Sequence, residues 1–130
     1  MNDSKISVRY AKALFQSAHE GKVLGEVMKD VDLLESTWKV EGFAEMMLSP
    51  VVNTSSKKKM MQSLFEKNVS KLSYDFLLLI LKNKREEYAP AIFRNFKAFY
   101  KESEGIKSAE LILSTEINKE YREKFLKILE

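Results

Sequence analysis

The chain has 130 residues, 45% of them hydrophobic, enough for one compact domain with a real core and a fragment of a second. Its 22 Lys and Arg against 19 Asp and Glu leave a formal charge of +3, too mixed a balance to require a nucleic-acid or anionic-membrane partner. The absence of Cys excludes a disulfide framework and a thiolate metal site, and no apolar run reaches the roughly 18 residues of a membrane span. Met1-Asn2-Asp3-Ser4-Lys5 carries an acid early and no apolar stretch follows, which argues against a secretory leader, so a soluble, cytoplasmic protein is expected.

The first helix is predicted from about Ser4 or Ile6 to His19, with Gly21 as its stop. Nothing between Ser7 and Ala18 breaks it, and at about 100° per residue it shows two apolar faces. Val8, Ala11, Phe15 and Ala18 form one. Tyr10, Ala13, Leu14 and Ser17 form the other, mostly apolar and small, while Arg9, Lys12, Gln16 and His19 make a polar wedge. A helix packed on one side needs a single apolar stripe, so this one is either deep in a bundle or also receives a partner.

The second helix places Leu24, Val27, Met28, Val31, Leu34 and Trp38 at helical spacing before the Glu41-Gly42 break. Phe43 to Leu48 is a short third helix closed by Ser49-Pro50. Thr54 or Ser55 is expected to cap a fourth, whose apolar side is Met60, Met61, Leu64 and Phe65. After a break at Asn68 to Ser70, the fifth starts near Leu72 or Ser73. Its run Phe76-Leu77-Leu78-Leu79-Ile80-Leu81 goes all the way round a helix, so every side wants cover. The sixth carries Ile92, Phe93, Phe96, Phe99 and Tyr100, tolerates Pro90 in its first turn, and is predicted to end at Glu104-Gly105.

Ser108-Ala109-Glu110-Leu111-Ile112-Leu113-Ser114 then alternates in part and is expected as a strand. Glu116 to Glu130 is predicted helical, with Ile117, Tyr121, Phe125, Leu126 and Leu129 apolar. The expected fold is all-α: a six-helix bundle over residues 1–104, followed by a partial α/β segment of one strand and one helix, residues 105–130, opening an incomplete second domain.

Catalytic chemistry finds little to work with. The one His, His19, ends the first helix, where a cationic imidazole would suit the helix dipole, and no Cys or second His could join it around a metal. The four Gly are isolated, so no phosphate loop exists, and carboxylates such as Glu86-Glu87 sit in charge patterns expected to face solvent. Lys57-Lys58-Lys59 is the only basic run and is expected as a solvated face; a phosphate-contacting patch would want interleaved exposed aromatics. No catalytic residue, metal ligand or cofactor is expected. The Met46-Met47 and Met60-Met61 pairs read as core filler.

Arg9-Tyr10-Ala11-Lys12-Ala13-Leu14-Phe15 resembles the opening of the delta subunit of rotary ATP synthases, the mitochondrial oligomycin-sensitivity-conferring protein. Leu48-Ser49-Pro50-Val51 with the following Lys57 to Lys59, Phe76 through Arg85, Ile92 through Tyr100, and Ser108-Ala109-Glu110-Leu111 resemble further segments of that family, in the right order and spacing. Glu86-Glu87-Tyr88 departs from it, standing where apolar residues are usual.

The resemblance implies a non-catalytic stator link that holds the catalytic head to the peripheral stalk. Its first and fifth helices form a groove for the N-terminal helix of an alpha subunit. The implied second partner is a b-type stalk subunit, met by a C-terminal part expected to be largely missing from this sequence. Membrane association is implied only indirectly, through the complex, on the cytoplasmic side of the bacterial inner membrane. The groove is expected to use Tyr10, Ala13, Leu14 and Ser17 on the first helix and Phe76, Leu79 and Asn83 on the fifth. A helical adaptor for another amphipathic helix, or a nucleic-acid-binding domain using Lys57 to Lys59, are the other two readings; no nucleic-acid partner is expected.

Overall fold

The computed structural model describes the backbone of residues 5–129 and the side chains of residues 5–114, and among these residues the chain is all-helical. Six α-helices follow one another: α1 (Lys5–Glu20), α2 (Leu24–Trp38), α3 (Phe43–Leu48), α4 (Thr54–Phe65), α5 (Lys71–Lys82) and α6 (Ala89–Leu129). A 3-10 turn, Glu86–Tyr88, links the last two. The chain divides into two compact units, one reaching Phe99 and one starting at Tyr100.

The ends of α1 and α5 share one device. Val23 N–H donates to the Ala18 carbonyl at 2.9 Å and Lys22 N–H to His19 at 3.1 Å; Arg85 N–H donates to Ile80 at 2.9 Å and Lys84 N–H to Leu81 at 3.1 Å. Each pair is a Schellman closure, which satisfies orphan carbonyls and requires one left-handed residue. That residue is Lys22 (φ 57°) after α1 and Lys84 (φ 56°) after α5. Gly21 therefore marks the stop without being the left-handed residue, and two lysines carry a strain of about 1 kcal/mol each that glycine would avoid.

Two further starts are capped by side chains. Asn53, one residue before the expected Thr54 or Ser55, accepts from Ser56 N–H at 2.8 Å and opens α4. Ser70 opens α5 and is itself held by α2: Asp30 Oδ2 accepts from Ser70 N–H at 3.0 Å, Ser70 Oγ at 2.7 Å and Ser73 Oγ at 2.7 Å. This carboxylate fastens the middle of α2 to the first turn of α5, where the amide dipoles favour negative charge.

The core of the first unit follows the periodic apolar positions. Ala11 and Ala18 of α1, Val27, Val31 and Leu34 of α2, Met61 and Phe65 of α4, and Ile92, Phe93 and Phe96 of α6 are buried. Trp38 packs edge-on between Phe43 and Phe93, with ring centroids at 5.0 and 5.2 Å. Val8 and Phe15 are only half-buried, and Phe15 lies against Phe96 and Phe99 at about 6 Å.

Three expectations need correction. Ser108–Ser114 is helix, not strand, and no strand occurs among the described residues. Ala109, Glu110, Leu111 and Leu113 are good helix formers and only Ile112 is β-branched, while a lone strand has no ladder to join. Nor does α6 end at Glu104-Gly105: one glycine costs about 1 kcal/mol in a helix interior, and the Lys107–Glu104 ion pair at 3.6 Å spans it. The apolar set Ile117, Tyr121, Phe125, Leu126 and Leu129 lies outside the described side chains.

The third correction concerns charge. Lys57 is buried, 7% exposed, with its Nζ 4.0 Å from the carboxylate of Glu86, which is buried as well. Only Lys58 and Lys59 of the basic run are exposed.

Asp30→Ala should cost about 3 kcal/mol in urea unfolding, because two serine hydroxyls and a backbone N–H lose a charged acceptor. Lys97 of α6 lies 2.8 Å from Asp32 and 2.6 Å from Glu35 of α2. Its hydrogen bonds, to Asp32 first and then Glu35, raise its pKa above the ordinary 10.5. A raised folded-state value means that the contribution is full below about pH 10.5 and is lost as pH climbs through the folded value. Melting temperature should fall over that alkaline window, and Lys97→Met should flatten the fall.

Candidate functional site

The surface feature that follows from the two over-apolar helices is a cleft of about 280 Å³ between α1 and α5. From α1 it is lined by Arg9, Tyr10, Ala13, Leu14 and Ser17. From α5 come Leu72, Asp75, Phe76 and Leu79. Residues 9–17 line it together with 72–79 while Tyr10 also reaches Asn83, and only an antiparallel pair of helices satisfies both.

The burial pattern explains why the cleft exists. On α5, Phe76, Leu77, Ile80 and Leu81 are buried and Leu79 alone of the six-residue run is exposed, at 45%. On α1, Ala13 and Ser17 are exposed and too small to fill the space, so the floor is Leu14, which is only 3% exposed although it lines the cleft. The walls are Tyr10 and Phe76, whose rings meet edge-on with centroids at 6.2 Å. Leu79 presents apolar area at one rim.

Six of the seven residues named from the sequence (Tyr10, Ala13, Leu14, Ser17, Phe76 and Leu79) line this one cleft. The seventh, Asn83, does not line it. Its side-chain amide instead donates to the Tyr10 hydroxyl at 2.7 Å, tying the end of α5 to the first half of α1. Arg9, Leu72 and Asp75 were not named, although stepping back one turn from Phe76 and Leu79 reaches Leu72 and Asp75. Arg9 was hidden by its place in the polar wedge.

Among the described residues no cluster of three or more His, Cys, Asp or Glu could hold a metal, and no helix is long and apolar enough to cross a membrane. His19 is exposed at the end of α1, its ring stacked on Phe15 at 6.4 Å. The burial of Lys57 leaves two exposed lysines in the basic run.

These features define an all-helical bundle protein whose distinguishing surface is an apolar cleft between its first and fifth helices. Within that class the chain belongs to the ATP synthase delta (OSCP) subunit family, which it matches over residues 6–130. The family is a non-catalytic subunit of ATP synthase. Relatives named ATP synthase subunit delta include that of Brevibacillus brevis, 31% identical over 94% of this chain and 73% of the relative. That of Cytophaga hutchinsonii is 30% identical over 99% and 71%, and that of Symbiobacterium thermophilum 28% over 85% and 60%. The chain thus spans 60% of the length of the Symbiobacterium protein.

The Tyr10–Asn83 hydrogen bond should be measurable as a coupling. Tyr10→Phe and Asn83→Ala should each cost about 1 kcal/mol in chemical denaturation, and the double variant should cost little more than either alone.

Proposed function

We propose that this chain is a stator component of a bacterial ATP synthase and that its α1–α5 cleft receives the N-terminal helix of an alpha subunit. The observation that carries the reading is the cleft itself: an apolar trough between two helices, with a floor of Leu14, small side chains at Ala13 and Ser17, and aromatic walls. An amphipathic helix laid in such a trough buries its apolar face without any chemistry. Small residues let the backbones approach, and Tyr10, Phe76 and Leu79 supply contact area.

Mechanically, a stator must resist torque. A subunit that grips the catalytic head on one side and a b-type peripheral stalk subunit on the other keeps the head from turning with the rotor. Rotation then drives ATP synthesis. The proposed place is peripheral, on the cytoplasmic side of the inner membrane, reached through the complex. The burial of Lys57 against Glu86 speaks against a nucleic-acid surface at the basic run.

The test is a titration with a peptide copying the N-terminal helix of the alpha subunit from the same organism. Ala13 is exposed at the cleft, so Ala13→Glu should leave the melting temperature nearly unchanged. It should weaken the peptide at least about a hundredfold, since it places an unpaired carboxylate where the apolar face must dry out. Ala11, two residues earlier and on the opposite side of α1, is fully buried, and Ala11→Glu should unfold the bundle. Undiminished peptide binding by Ala13→Glu, or its melting, would refute the assignment.

A further inference from the structure

We propose that a second cavity recognises a primary carboxamide, the side chain of a glutamine presented by a partner polypeptide. The cavity holds about 410 Å³ and lies between the α3–α4 loop, the first turn of α4 and the turn after α5. It shares no lining residue with the α1–α5 cleft, so it stands apart from the docking reading above. Two charged side chains line it from different elements, Lys57 of α4 and Glu86 of the 3-10 turn. Both are more than nine-tenths buried, at 7% and 9% exposure.

Their separation sets the chemistry. Lys57 Nζ lies 4.0 Å from Glu86 Oε1. A nitrogen–oxygen hydrogen bond needs about 3 Å, so this is an ion pair with a gap. Among the described residues neither tip has another protein partner. An ammonium with unspent donors and a carboxylate with unspent acceptors are costly when buried, unless something polar joins them.

The edge of a primary carboxamide closes this gap. Its oxygen and nitrogen lie about 2.3 Å apart, as the C=O and C–N bond lengths dictate. The oxygen can accept from Lys57 while the N–H donates to Glu86. At about 2.9 Å each, these two bonds need diverge by only about 20° apiece to reach tips 4.0 Å apart. A trans peptide group carries its C=O and N–H on opposite sides and cannot offer both. A carboxylate would suit Lys57 but be repelled by Glu86, and an ammonium would meet the reverse. Lys84 also lines the cavity, but it is exposed, and solvent weakens its pull on an anion.

The remaining lining fits a short aliphatic stem. Leu48, Pro50 and Val52 make an apolar side. A single water, about 30 Å³ in the liquid, could bridge the two tips but would leave most of the cavity unfilled. A glutamine side chain brings two methylenes behind its amide to lie against those three residues. Leu48 and Val51, 53% and 90% exposed, add apolar surface at and just beyond the end of α3. That surface suits a glutamine flanked by apolar residues in a polypeptide.

The experiment titrates the isotope-labelled 130-residue chain with four tripeptides of the form Leu-X-Leu, followed by backbone amide NMR shifts. Each is acetylated and N-methylamidated, so that only X can supply a primary carboxamide or a charge; X is Gln, Glu, Lys or Met. The Gln peptide should saturate, with its largest shifts at residues 53–57 and 84–86, and should bind about tenfold more tightly than the other three. Acetamide, which lacks stem and flanks, should bind at least about tenfold more weakly than the Gln peptide. The Lys57→Met/Glu86→Met double variant exchanges the pair for apolar groups, a change that folding commonly tolerates, and should lose the preference for Gln. A preference for the Glu peptide would make this an anion site, equal binding of all four a merely apolar patch, and no saturable shift a water-filled one. Each of these overturns the proposal, as does a Gln preference that survives in the double variant or acetamide binding as tightly as the peptide. If the double variant melts below the working temperature, the comparison of peptides on the parent chain decides alone.

Discussion

A helix that is apolar on every side must be covered on every side, and α5 imposes that demand on the whole first unit. Helices α1, α2 and α4 all pack against it, and they bury Phe76, Leu77, Ile80 and Leu81. These three helices cannot close completely around its axis when the neighbour on one flank is faced with alanine and serine. The shortfall is the strip at Leu79, and the cleft is its geometric consequence. The site is therefore the part of the packing problem that the bundle leaves unsolved, with no added loop or insertion.

Polar contacts hold α5 in place at both ends. The Asp30 carboxylate gathers three donors from Ser70 and Ser73 at its start, and the Lys84 closure ends it with the carbonyls of Leu79, Ile80 and Leu81 occupied. Between α2 and α6, Lys97 sits in the fork of Asp32 and Glu35. Among the described side chains no buried nitrogen or oxygen lacks a hydrogen-bond partner. Fully satisfied contacts of this kind resist sliding, since each must break before the helices can move past one another.

Much of this arrangement was legible in the residues. The apolar spacing in α2 and the unbroken Ser7–Ala18 run gave helix positions to within a residue or two, because 3.6-residue periodicity is a local signal. The cleft was legible for the same reason: Tyr10, Ala13, Leu14 and Ser17 repeat at i, i+3, i+4, i+7, and so share a face. What escaped was non-local. That Asn83 would bond Tyr10 and leave the lining depended on how two distant helices cross. That Lys57 would turn inward depended on Glu86 arriving from the turn after α5. The strand expected at Ser108–Ser114 failed because partial alternation over seven residues also fits a helix, and the good helix formers within it let α6 run on. Arg9 was passed over because one face of a helix wheel does not reveal which polar residue stands at the edge of a neighbour's groove.

Leu14 belongs to two surfaces at once: it is nearly inaccessible like a core residue, yet it forms the floor of the cleft. Whatever fills the cleft meets a surface that exists only when the bundle is assembled, so it binds the folded chain and not the unfolded one. By mass action such an occupant adds about 2.7 kcal/mol to folding stability at a hundredfold excess over its Kd. The durability of this chain is then a property of its surroundings as much as of its sequence. A copy without its companion sits lower on the stability scale and unfolds more often. Proteases that act on opened chains would remove copies with an empty cleft before those with a filled one.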